Sequence, residues 1–398
     1  MRHGRTLSLK SGFRRARSQY RRTIPYLKRV TSSEAKRSRE AAMTAGPGQA
    51  RSDNGDGSAI LTGQPLVHVI RGDRVESVHH IAACAVDGAG RVIYAVGSID
   101  VPVYWRSSAK PFIAAAVVRS GAIERFGLDQ HEVAVMAASH AGEPFHIEAV
   151  RSILNKIGLS EEALQCGSHA PYNATAARAL EENGERFTTV HNNCSGKHAG
   201  ILALCLMLGC NIATYTELNN PAQQVILALC GRLTGQDPKT FPVAVDGCGI
   251  PAFAASLESA ALAFMRFATL DGIDARDAQA LKIVRDAMIA HPRYVAGTGE
   301  FDSALMEAGN GAIACKAGAE GVHGDALIDE RYGYVQKVLD GAKRAVAPAV
   351  MAALYGLGGA PAAAELESFA QPAIANRAGA IVGEIRAKAV ARAAVQNR

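Results

Sequence analysis

The chain reads as an α/β protein in which strands from both ends meet in one sheet around a mostly helical middle. Three observations predict this. β-rich runs cluster at residues 66–97 and again after residue 310. The stretch 120–300 between them carries helical spacing. An isolated two-stranded hairpin is barely stable alone, so the two groups of strands must pair.

At the first end, Val67-His-Val-Ile and Ile81-Ala-Ala-Cys-Ala-Val are β-rich. Asp87-Gly-Ala-Gly is a turn into Val92-Ile-Tyr-Ala-Val, which makes a hairpin. A helix is expected to open near Ser107, since 109–118 is alanine-rich with Pro111 in its first turn. In the middle, Val150, Ile153, Leu154 and Ile157 share one helical face that stops at Gly158, and Pro221 opens a helix through Leu229. The run 199–210 reads as a buried helix and 278–290 as an amphipathic one. The segments 312–316, 321–328 and 332–338 are the closing strands, followed by a helix over 342–355.

The organisation is a basic extension over 1–60, a folded body over 61–358 and a C-terminal segment, 359–398, without a structural assignment. Residues 1–42 hold 13 Lys and Arg against Glu34 and Glu40. The chain's formal charge of +6 therefore hides a mildly acidic body, which gives no support to nucleic-acid binding. The extension reads as disordered, or as sequence upstream of a start at Met43; its composition is also that of a transit peptide. Eight cysteines without a CxxC pair, several inside apolar runs, speak for a reducing, cytoplasmic setting. No apolar run is long enough to span a bilayer.

Five polar clusters interrupt this apolar body. Ser107-x-x-Lys110 places a hydroxyl and an amine three residues apart, on one helical face, where a lysine made neutral by burial can take the serine proton. Alone the pattern is weak: Ser33-x-x-Lys36 repeats it in the basic extension. Ser139-His140-Ala141-Gly142-Glu143-Pro144 follows an apolar run and is either a site loop or the cap of the next helix. His191 to Gly200 packs two amides, a thiol, a lysine and two histidines beside a buried helix, and Asp246-Gly-Cys-Gly-Ile-Pro adds an acid and a thiol. Cys194 and Cys248 suit a soft metal with Lys197 nearby, or are two buried thiols. Lys316-Ala-Gly ends a predicted strand and points into a cleft or guards an edge. No glycine-rich phosphate loop is present, so no nucleotide cofactor is expected.

Taken together, RSSAKP (106–111), SHAGEP (139–144), HNNCSGKHAG (191–200), DGCGIP (246–251) and KAGAEG (316–321) resemble, in order, the bacterial L-asparaginase II family of the Rhizobium type. The resemblance runs from about Val67 to Val338. It implies a serine β-lactamase- and glutaminase-like fold and hydrolysis of L-asparagine to L-aspartate and ammonia through an acyl-enzyme. It implies two Ser–Lys pairs, Ser107 with Lys110 and Ser139 with Lys316, the first supplying nucleophile and base. It implies zinc at Cys194, Lys197 and Cys248, recognition of the substrate's amino-acid head by Arg106, Asp246 and His198, and a homodimer. A glutaminase on the same scaffold, a non-catalytic amino-acid-binding protein and a nucleic-acid-tethered protein remain as alternatives.

Overall fold

A computed structural model of the protein describes residues 61–389. The expectations for 1–60, the second Ser-x-x-Lys at Ser33 included, lie outside the described residues.

The expected pairing of the two ends is present, and it is antiparallel throughout. The hairpins β1 (Gln64–Arg71), β2 (Arg74–Asp87) and β3 (Val92–Val96) join β7 (Ile313–Gly318), β8 (Val322–Leu327) and β9 (Tyr332–Val338). β2 is the seam: it pairs β1 on one side and β9 on the other, with Ile81 opposite Val338 and Asp87 opposite Tyr332. The C-terminal segment that had no assignment supplies β10 (Ala373–Ala375) and β11 (Ile381–Ala387). β11 lies against β1, and the order is β10-β11-β1-β2-β9-β8-β7, with β3 also on β2. Its sequence signal is short: Glu384 and Arg386 flank Ile385, the one buried residue of β11, and the rest is exposed or half-exposed. A second, small sheet joins β4 (Pro102–Tyr104), β5 (Val243–Val245) and β6 (Pro251–Ser256) in the order β4-β6-β5.

The helix Leu257–Thr269 covers the large sheet over β2, β8 and β9. It can lie flush there because β9 carries Gly333, where a Cβ would come within 2.2 Å of the Met265 nitrogen and the Ala261 oxygen. Behind it stands the helix Lys110–Arg119, buried along its whole length to Val118. A helix apolar all round belongs inside a protein. Here the helices Gln130–Met136, Ser195–Leu208, Pro221–Thr234 and Ala275–Ala290 surround it. Asp277, 1% exposed, ties two of them to it by pairing with Arg119 and Arg232. Among the described residues no helix is long and apolar enough to cross a membrane.

Candidate active site

The site forms where the buried helix begins. Residues Arg106–Ala109 make a 3-10 turn leading into Lys110–Arg119, so Ser107 stands one turn ahead of the α-helix proper. Arg106 has φ +51, a left-handed conformation that costs a non-glycine residue about 1–2 kcal/mol. Such strain accumulates where surrounding structure fixes a residue for function. Its guanidinium holds Asp246 through Nε and Nη2, at 3.0 and 2.9 Å from Oδ1. Asp246 also accepts the Gly247 N–H at 2.6 Å. Burial pushes this carboxyl up, but Lys197 and Arg106 more than offset it and hold it below the usual range.

Arg106, Ser107, Lys110, Lys197 and Asp246 line one small pocket, floored by Ile250 and Phe253. Four of the five polar clusters thus contribute to the pocket or to its immediate support. The fifth, Lys316-Ala-Gly, is brought against it by Gly318. A Cβ at Gly318 would lie 2.6 Å from the Trp105 carbonyl oxygen and 3.1 Å from the Ser108 nitrogen, so only glycine lets β7 rest on the serine turn.

The hydrogen bonds differ from the expected pairs. The Lys110 amine reaches the Ala138 carbonyl at 2.6 Å, the Ser139 hydroxyl at 2.9 Å and the Asn193 carbonyl at 3.4 Å. Lys110 is therefore joined to Ser139 rather than to Ser107, because its long stem carries the amine away from the turn towards the loop after Met136. Lys316 is likewise not joined to Ser139. Its amine donates to the Ala317 carbonyl at 2.9 Å and lies 3.5 Å from Asp302 Oδ2. The same motif also supplies the cap of the next helix, not through Ser139 but through Glu143, whose N–H donates to His146 Nδ1.

Lys110 is 1% exposed. Burial pushes it down to about 8; the Cys194 thiol opposes this, while the cations of Lys197 and Lys316 add to it. A buried amine near 8 is substantially neutral at mildly alkaline pH, so its lone pair is free to take a hydroxyl proton.

Cys194, Lys197 and Cys248 converge as expected, all buried. Lys197 Nζ is 2.8 Å from Cys248 Sγ. The Cys194 thiol is held well below its usual range, first by its hydrogen bond with Cys248 and then by the Lys110 and Lys197 cations, against burial. The pair thus yields one thiolate readily. Two soft sulfurs at one point, one already anionic, suit a thiophilic ion; Lys197, held above its usual range by Cys194 and Cys248 against burial, joins them as a ligand only on losing its proton. All eight cysteines are free.

His198 is placed differently from its expected role. It does not line the pocket; it is fully buried, with Nδ1 2.7 Å from the Tyr215 hydroxyl. The helix explains this, since consecutive residues point about 100° apart and Lys197 already faces the pocket. His140 was quoted only within its motif, and it has a structural task. It accepts the Gly142 N–H on Nδ1 and meets Ser195 Oγ through Nε2 at 2.9 Å, which fixes the loop carrying Ser139 to the helix carrying Lys197.

Sequence reasoning passed over a second buried cluster beside Lys316. It comprises Asp302, Cys315, His323 and Asp325, all at or below 4% exposure. One signal was available: in Val-His-Gly-Asp-Ala-Leu, His323 and Asp325 alternate on one face of an otherwise apolar strand.

All five motifs fall within the range of one family match. A family profile described as L-asparaginase II matches residues 67–387. No curated protein matches the chain. Among solved structures, Mglu in its native form in 4.3 M NaCl is 13% identical, with a TM-score of 0.34, over 71% of this chain and 62% of that one. The chain thus spans less than two thirds of Mglu's length. A putative beta-lactamase from Bacteroides dorei is 14% identical, with a TM-score of 0.33, over 65% of this chain and 85% of that one. With the family profile spanning nearly the whole folded body and all five motifs, the chain belongs to the L-asparaginase II family.

Proposed function

We propose that the protein hydrolyses a side-chain amide, that of L-asparagine, to L-aspartate and ammonia through an acyl-enzyme on Ser107. Family membership supports amide hydrolysis. The observation that carries the mechanism is a buried lysine depressed to about 8 in the same pocket as a serine on a strained turn.

In the first step the Lys110 amine turns from its Ser139 contact and takes the Ser107 hydroxyl proton, and the serine oxygen bonds the amide carbon. The carbon–nitrogen bond breaks and ammonia leaves with the proton returned from Lys110. Water then attacks the ester, again losing a proton to Lys110, and aspartate is released with Ser107 restored. The Ser139 hydroxyl holds the Lys110 amine in place, and Lys316 helps keep it deprotonated by charge repulsion. Arg106 takes the substrate carboxylate and Asp246 its ammonium, exchanging part of their mutual pairing for the substrate.

Cys194, Lys197 and Cys248 would hold zinc, which supplies a fixed positive charge beside the bound substrate's polar groups. The free thiols support a cytoplasmic setting. A homodimer is carried over from the resemblance and is tested by light scattering.

The experiment is ammonia release from L-asparagine with L-glutamine as control. L-Asparagine is expected to be the better substrate. Equal or better turnover of L-glutamine would transfer the assignment to a glutaminase, and absence of turnover with both would remove it.

A further inference from the structure

Asp302 opens the helix Phe301–Gly309 and stands beneath β7 and β8. Its two oxygens face different partners. Oδ2 accepts the Ala317 N–H at 2.7 Å and lies 3.5 Å from Lys316 Nζ. Oδ1 meets His323 Nε2 at 3.1 Å. The other ring nitrogen of His323 meets Asp325 Oδ2 at 2.9 Å. The sequence Lys316–Asp302–His323–Asp325 is thus a continuous chain of ion-pairing contacts with no member more than 4% exposed.

Two carboxylates, one imidazole and one amine in a dry interior are tolerable only as paired charges. A histidine with a carboxylate at each nitrogen carries both ring protons. Consistent with this, His323 is held well above its ordinary range by Asp325 and Asp302 against burial, and Asp302 is held down, chiefly by Lys316 and then His323, although burial pushes it up. The donor types of Asp302, Cys315 and His323 also suit a metal ion. Their atoms are already engaged without one: both His323 nitrogens face carboxylates, and the Cys315 thiol donates to the Asp302 carbonyl at 3.5 Å.

We propose that Asp302, His323 and Asp325 are positioning residues: a buried charge chain whose task is to fix the Lys316 amine beside the serine turn. This rests on the hydrolytic reading of the site above. The chain explains a feature otherwise without purpose. Lys316 sits on an edge strand, where a lysine ordinarily reaches solvent, yet it is fully buried and points inward. Asp302 holds both the amine and the N–H of the next residue, so the side chain and the backbone of Lys316-Ala317 are fixed by one group. His323 and Asp325 hold Asp302 in turn, from β8.

The test has two arms on the full chain. In the first, 15N-labelled histidine is observed by NMR at pH 8. One imidazolium with both nitrogens protonated is expected, absent in His323→Gln. A neutral His323, or a metal ion bound to it, would overturn the proposal, and this arm needs no enzymatic activity. In the second, ammonia release from L-asparagine is measured for Asp325→Asn and Asp302→Asn. Loss of about 10-fold in kcat is expected for the first and about 100-fold for the second, with KM within about threefold. Unchanged kcat in Asp325→Asn, or a change in KM alone, would overturn it. Should Asp302→Asn fail to fold, Asp325→Asn decides, since it acts on Lys316 only through His323. Lack of activity in the parent protein would remove the hydrolytic reading and leave the NMR arm to decide whether the charge chain exists.

Discussion

Gly318→Ala adds one methyl group at the junction between β7 and the serine turn. The new Cβ would begin 2.6 Å from the Trp105 carbonyl oxygen, whereas ordinary contact starts at 3.4 Å, so the strand and the turn must separate by about 0.8 Å. Both neighbours there are backbone atoms, which cannot swing aside as a side chain does. Trp105 is itself wedged between Phe112 and Phe253, with ring centroids 5.7 and 5.2 Å away. Overpacking of this kind costs about 1–3 kcal/mol. The larger effect falls on geometry, because Ser107 is on one side of the junction and Lys316 on the other. Displacement on the order of 1 Å between reacting groups costs about 100-fold. The assay is steady-state ammonia release with melting midpoint in parallel, and Leu354→Ala is the control. Leu354 is fully buried in the helix Val346–Leu357, away from the pocket, and its truncation costs about 2–5 kcal/mol with kcat retained. Gly318→Ala with parental kcat, or with a loss no greater than that of Leu354→Ala, would refute the claim that this contact sets the site.

Other outcomes follow from the same contacts. In the proposed mechanism the neutral amine of Lys110 is the active form, so kcat/KM should rise with pH through about 8; between pH 7 and 9 the neutral fraction grows about tenfold. A profile flat over that range would exclude Lys110 as the base. Cys248→Ser should lower zinc content, measured by elemental analysis of protein purified without chelators, from about one per chain to well below that. Equal zinc in parent and variant would remove the three-residue site. Asp277→Asn leaves the partly exposed Arg119 and Arg232 guanidinium groups without their shared buried carboxylate and should cost about 2 kcal/mol in urea unfolding. A cost under about 1 kcal/mol would show that the triad contributes little.

What could be read from the sequence, and what could not, divides by the range of the signal. The hairpin of β2 and β3, the helix ending at Gly158 and the three strands after residue 310 each carry local turn chemistry, and each is present. β11 carries little, because only Ile385 of it is buried and its place is decided by pairing with β1 and β10. The residues of the pocket were legible as polar clusters in apolar surroundings, which is why Arg106, Ser107, Lys110, Lys197 and Asp246 meet. Their partners were not. A lysine side chain reaches about 6 Å, and spacing along the chain does not say whether its amine turns back to Ser107 or onward to Ser139. Nor does it show that Lys197 and His198, adjacent in sequence, face different surroundings. Asp302 is the clearest case: it is brought to Lys316 and His323 only by the packing of a helix under two strands, a long-range event without a local mark.

The most direct test of the central claim is ammonia release from L-asparagine by the parent protein and by Ser107→Ala, with folding of both verified by circular dichroism. Turnover by the parent and none above background by the folded variant is the predicted result. A Ser107→Ala protein that releases ammonia at the parental rate would contradict the assignment of Ser107 as the nucleophile.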